Sequence, residues 1–163
     1  MPDGGEGRHV HVTARALERA EAEALLARHH VGRMAFSFHD RTALVLVNYV
    51  FADGWIYARM EDGGDAATLQ HHHWVVFEVD EVDGIYDWRA VTVRGSVEFL
   101  SDDPHSPAGQ RFAEALGRIR TVVPSVRTPD DPLPQRERLY RVLAEDVQGQ
   151  EMSSDMRGVP SRA

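Results

Sequence analysis

The hydrophobic pattern of the chain changes period several times. From Arg15 to His29 the residues are strong helix formers, and Leu17, Ala20, Ala24 and Leu25 recur at helical spacing. This predicts an amphipathic helix with Thr13 as its N-cap and a stop or tight strand entry at Gly32. The period then falls to two. "VGRMAFSF" sets Met34, Phe36 and Phe38 on one side, and His39-Asp40 reads as a turn. "ALVLVNYVF" is nearly all apolar, the pattern of a strand covered on both faces. Ala52-Asp53-Gly54 signals a hairpin turn, and "WIYAR" returns as its partner strand.

Residues 64 to 72 read as a short helix and "WVVFEVD" as a strand. In "DWRAVTVRGSVEFL", Val91, Val93, Val97 and Phe99 face one way, while Thr92, Arg94, Ser96 and Glu98 face the other; Gly95 suggests a bulge. A helix with Phe112, Leu116 and Ile119 on its apolar side follows. Residues 121 to 136 hold four prolines and read as loop, and "RLYRVLAEDV" closes as a strand. Hairpin-linked strands of this length favour a small closed barrel, which removes exposed edges. The alternative is an α+β sheet with helices on one face. The organisation expected is a tail over 1–14, one domain over 15–149 and a second tail over 150–163.

Composition narrows the chemistry. All 18 basic residues are arginine, and there is no cysteine, so lysine Schiff bases, thiolate nucleophiles and zinc fingers are excluded. A formal net charge of -8 disfavours nucleic acid and anionic membrane as partners. No apolar run is long enough to span a bilayer, and no basic-then-apolar leader is evident, which predicts a cytoplasmic protein.

No catalytic constellation emerges from the side chains. His71, His72 and His73 are adjacent, so they do not share a helix face; a polar helix end is the plainer account, with one haem ligand as the alternative. His9 and His11 are a second histidine pair, near the N-terminus. No metal site is expected from any of these. Ser37, Ser96 and Ser101 lack a nucleophile-elbow context, and Glu78, Asp80, Glu81 and Asp83 read as a solvated strand end. Asn48-Tyr49 interrupts an apolar run, so each needs a partner, either backbone or a bound ring. Trp88-Arg89 opens a long strand and suits either barrel-mouth packing or ligand contact. "YARMEDGGDAATL" places Gly63-Gly64 just before a helix, the backbone of an anion cradle, yet carries Glu61, Asp62 and Asp65. Such a barrel acts by binding something reactive.

The segments "VGRMAF", "VNYVFADGWIY", "VVFEVDEVD", "WRAVTVRGSVEF" and "LYRVLAEDVQG" resemble, in order and spacing, the pyridoxamine 5'-phosphate oxidase-like split-barrel flavoproteins, nitroimidazole-resistance-type branch. The resemblance runs from about Leu17 to Gly149. It implies a six-stranded antiparallel split β-barrel that works as a homodimer, with FMN in a groove between subunits. It implies that Val47, Asn48 and Tyr49 line the flavin ring, that Arg59, Met60, Gly63 and Gly64 approach the phosphate, and that Trp88 and Arg89 lie near the cofactor at the subunit boundary. Members move hydride or electrons to a small acceptor; some bind deazaflavin or haem instead. Two departures weigh against a phosphate: Met60 replaces a hydroxyl residue and Asp65 replaces a cation. A flavin-dependent oxidoreductase, a non-catalytic or cofactor-degenerate dimer acting as a binding module, and a haem-binding barrel are therefore the readings to separate.

Overall fold

The computed structural model describes residues 9–155. Its elements run β1 (Val12–Ala16), α1 (Arg19–Arg28), β2 (Val31–Phe38), β3 (Arg41–Ala52), β4 (Trp55–Met60), α2 (Gly64–His71), β5 (Trp74–Gly84), β6 (Asp87–Phe99), α3 (Pro107–Arg120), β7 (Arg138–Leu143) and β8 (Asp146–Ser154). Six antiparallel strands close a ring in the order β6–β5–β2–β3–β4–β7, with β7 returning to β6; β8 and then β1 extend the sheet beyond it. This is the predicted split barrel.

The split is made by β6. One edge of this strand pairs with β5 along its length. The other edge pairs first with β8, to Arg94 opposite Asp146, and then with β7, from Val97 opposite Val142. Gly95 stands at the switch. A Cβ there would lie 2.9 Å from the Leu143 carbonyl oxygen, so the change of partner needs a residue without a side chain.

Inward positions follow the two-residue period. Met34, Phe36, Val75, Phe77, Val79, Val91 and Val93 fill the barrel, and α1 closes it with Ala22, Leu25 and Leu26 at spacings of three and four. Each buried leucine of α1 contributes about 1.5–3 kcal/mol by leaving water. A second, smaller core lies outside the ring, where Ala115 and Ile119 of α3 meet Tyr57 of β4 and Leu139 of β7.

Four expectations need correction. The first helix starts at Arg19 with a Glu18–Glu21 capping box, not at Arg15 behind Thr13. Pairing of β1 with β8 claims residues 12–16, and an Arg15–Glu151 ion pair holds them there, so tertiary pairing overrides helix propensity. The closing segment breaks into two strands at 144–145, and β8 runs on through Ser154. Positions 12–14 and 150–154, expected as tail, are therefore ladder; the rest of each expected tail, apart from 9–11 and Asp155, lies outside the described residues. Last, β3 is covered on one face only: Val47 and Tyr49 are buried, whereas Leu44 and Leu46 are each 68% exposed.

Candidate functional site

The Asp-Gly hairpin sets where the site lies. Asp53 and Gly54 take φ of 51° and 81°, as a tight hairpin requires, and start a β3–β4 ladder at Ala52–Trp55. That ladder ends at Tyr49–Ala58. Beyond it β3 stays with β2, placing Asn48 opposite Val31 and Val47 opposite Gly32. β4 leaves with β7, placing Arg59 opposite Leu139 and Met60 opposite Arg138. The fork opens a cleft of about 450 Å³ between Val45–Val47 on one arm and Met60 with residues 61–65 on the other.

Arg59 ties the β4 arm to the proline-rich loop. Its guanidinium makes two parallel bonds to Asp131, 2.7 and 2.8 Å long, and donates again to the carbonyls of Leu133 and Arg136. Asp131 also accepts from the backbone amides of Arg127 and Leu133. The Arg59 guanidinium, helped by these amides, holds the Asp131 carboxyl well below the usual carboxylate range. The proline-rich loop is thereby stapled to β4. It delivers Arg136 across the fork, where Nη1 donates to Asn48 Oδ1 at 3.1 Å.

The opposite wall is the start of α2. Gly63 caps this helix with no side chain, its carbonyl taking the first helical bond from Ala67 at 2.8 Å. The amides of residues 64 to 66 precede that bond and have no acceptor within the helix. A Cβ at Gly63 or Gly64 would meet nothing within 4 Å, so this backbone faces open space. Asp65 sits exposed in the first turn, and Asp62 is paired with Arg138 at 2.9 Å.

A family model described as pyridoxamine 5'-phosphate oxidase matches residues 18–151. The chain belongs to this family. Comparison with curated proteins gives no match. Among solved structures it is similar to a FAD-binding protein from Mesorhizobium loti, at 23% identity, covering 88% of this chain and 99% of that one, with a TM-score of 0.66. A candidate 5-nitroimidazole antibiotic resistance protein from Bacteroides thetaiotaomicron is similar at 14% identity, over 90% and 93% of the two chains, with a TM-score of 0.65. A FAD- and heme-binding protein from Mycobacterium smegmatis gives 16% identity, 90% and 75% coverage, and a TM-score of 0.58. At these identities the likenesses establish the fold.

Within this family member the fork gathers Val47, Arg59, Met60, Gly63 and Gly64 around one cleft. Their roles differ from expectation. Arg59 is consumed by Asp131, its side chain only 9% exposed, so it is a structural clamp and not a spare cation. Tyr49 points into the core. Its hydroxyl donates to the Leu26 carbonyl at 2.7 Å, and burial pushes the phenol well above its ordinary range. The partner sought for this polar residue is therefore backbone. Asn48 points outward, to Arg136. Trp88 and Arg89 lie in a separate depression with Glu81 and Asp83, and Arg89 is paired with Glu151. They do not join the cleft within one chain.

The histidines are also elsewhere. His72 and His73 border a different groove, and His73 Nδ1 is 2.9 Å from the Leu69 carbonyl. Among the described residues no group of three is placed to hold a metal ion. Glu81 binds Arg28 and His29, and Arg28 foremost pulls its carboxyl down to about 2. Among the polar residues that line the cleft, the sequence reading missed Arg136 and Tyr140. Arg136 was hidden in a proline-rich loop, and Tyr140 looked like ordinary strand filling.

A flavin fits the cleft in size and in donors. Its volume lies in the range of about 300–1,000 Å³ typical of small-molecule sites. The α2 amides can face a phosphate, and Arg136 has no carboxylate partner among the described residues. Asp65, exposed on the cleft wall, would oppose a phosphate without closing the cleft.

The uncovered face of the sheet borders the same fork. Leu44 lies opposite Ala35, which lies opposite Val76; Leu46 and Trp74 extend the patch, Trp74 being 71% exposed. Contiguous apolar surface of this kind marks an interaction site. No helix among the described residues is long and apolar enough to cross a membrane.

Proposed function

We propose that this chain binds a flavin, FMN foremost, in the β3–β4 fork, and passes hydride or electrons to a small acceptor. The observation that carries the reading is the fork itself: an open cleft flanked on one side by apolar β3 and on the other by the uncapped amides of α2. The flat ring would lie along Val45–Val47, with the polar tail toward Gly63 and Gly64. When bound, the flavin would supply the redox chemistry that no side chain here provides. The chain's own part is to hold the ring against β3, exclude water from one side and present amides to the tail.

Leu46 of the cleft wall continues into the exposed apolar row of Leu44, Val76 and Trp74. We take a second copy of the chain, seated on that face, as its cover. The partner would then supply Trp88 and Arg89, which cannot reach the cleft from their own subunit. The working form under this reading would be a cytoplasmic homodimer.

A cofactor-free binding module is the second reading, favoured by exposed Asp65 in the first turn of α2 and by Met60 at the cleft wall. Haem has less support, because His72 and His73 border another groove. Titration of the purified protein with FMN, FAD and riboflavin, followed by quenching of flavin fluorescence, separates the readings. Saturable quenching with one flavin bound per subunit supports the first; no quenching by any of the three supports the second.

A further inference from the structure

Resting on the flavin reading, we infer that Arg136 is the residue that binds the cofactor's phosphate, in place of Arg59. Three arginines border or overhang the fork. Arg59 is locked to Asp131, and Arg138 is paired with Asp62. Among the described residues the Arg136 guanidinium donates to one neutral acceptor, the Asn48 amide oxygen, at 3.1 Å, and has no carboxylate partner. A neutral acceptor holds a guanidinium less strongly than a carboxylate does, because it adds no opposite charge and no second oxygen for a bidentate grip. A phosphate entering the cleft therefore outcompetes Asn48 for Arg136, but does not dislodge Arg59.

The placement is consistent with that role. Arg136 borders the cleft together with Gly63 and Gly64, so one anion is open to a guanidinium from one wall and amides from the other. Its charge already reaches the cleft's interior, where it counteracts the upward push that burial gives the Tyr140 phenol. Its backbone is held: the Arg136 carbonyl accepts from Arg59 at 3.4 Å, and its amide donates to the Leu133 carbonyl at 3.1 Å. The Arg59–Asp131 staple thus acts as a positioning device, and Arg136 as the ligand it positions.

The test is a fluorescence titration of wild type, Arg136→Gln and Arg136→Lys with FMN and with riboflavin, which lacks the phosphate. Wild type is expected to prefer FMN. Arg136→Gln is expected to lose about 10- to 100-fold in FMN affinity, the range of a charge-assisted hydrogen bond, and to keep its riboflavin affinity. Arg136→Lys is expected to recover part of the loss. Circular-dichroism melting of each variant shows whether the fold is intact; a misfolded Gln variant leaves the Lys variant and the wild-type FMN-to-riboflavin ratio to decide. Equal affinity of wild type for FMN and riboflavin, or undiminished FMN binding by folded Arg136→Gln, overturns the inference while leaving the flavin reading intact. Failure of wild type to bind either compound removes the flavin reading, and the inference with it.

Discussion

Arg59 and Asp131 face one another as a parallel fork across the proline-rich loop, with 9% and 3% of their side chains exposed. Breaking such a pair from one side strands a charge out of water, at about 3–5 kcal/mol. Asp131→Ala is expected to lower stability by that order in urea unfolding. The double variant Arg59→Met, Asp131→Leu is expected to recover most of the loss, because it removes both charges.

The same pair sets part of the acid sensitivity. Asp131 has a native pKa depressed by Arg59, against about 3.9 when unfolded. A depressed carboxylate contributes stability that is complete above the unfolded pKa and is lost as pH falls through the native one. Glu81, drawn down to about 2 chiefly by Arg28, adds in the same direction. Wild type is expected to hold its urea midpoint from pH 7 to about pH 5 and to weaken below pH 4. Asp131→Asn is expected to be less stable at pH 7 and to lose less on acidification. Parallel pH profiles would contradict this account.

Gly32 carries a steric constraint of its own. A Cβ there would fall 2.3 Å from Phe77 Cζ and 3.0 Å from the Glu78 carbonyl oxygen. The Phe77 ring has no room to retreat, being buried and edge-on to Tyr49 with centroids 4.9 Å apart. Gly32→Ala is expected to cost about 1–3 kcal/mol, the range for overpacking a core. A thermal midpoint equal to wild type would refute it.

The barrel was legible because its strands alternate cleanly and its Asp-Gly hairpin is unambiguous. Gly95 was also visible, although its reason, a change of partner from β8 to β7, depends on strands far apart in sequence. The ends were misread, since the sequence of residues 12–16 prefers helix and only pairing with β8 makes it a strand. The site was half legible. Local signals pointed to the glycine loop at Gly63 and Gly64, and the family resemblance to Val47, all of which border the cleft. They could not show that Arg59 is spent on Asp131, 72 residues away, or that Arg136 crosses the fork. Apolar Leu44 and Leu46 read as buried in sequence because a hydrophobic run does not say whether one face of a strand or both is covered.

That exposed row bears directly on assembly. Leu46 and Trp74 are more than two-thirds exposed in the isolated chain; Leu46 lies on β3, one arm of the fork, and Trp74 on β5, two strands away across β2. Leu46→Glu together with Trp74→Arg is expected to convert a dimer to a monomer, read by size-exclusion chromatography with light scattering. FMN affinity should fall with it, because the cleft would lose its cover. A wild type that runs as a monomer would remove the pairing proposal. A double variant that stays dimeric would place the interface elsewhere.

Asp65 tests the charge balance at the other wall of the cleft. It is exposed in the first turn of α2, where a carboxylate suits the helix dipole but repels an incoming phosphate. Asp65→Lys is therefore expected to act in two opposite directions. The helix loses a favourable terminal charge, costing about 0.3–1 kcal/mol of stability. FMN binding tightens, by about tenfold at low ionic strength, and the gain shrinks as salt screens it. Riboflavin, without a phosphate, gains nothing. Fluorescence titrations of both ligands at low and at physiological salt, paired with urea unfolding, read all three effects. An FMN affinity that ignores the substitution would mean that the glycine loop does not face the phosphate, and would shift the cofactor's tail away from α2 altogether.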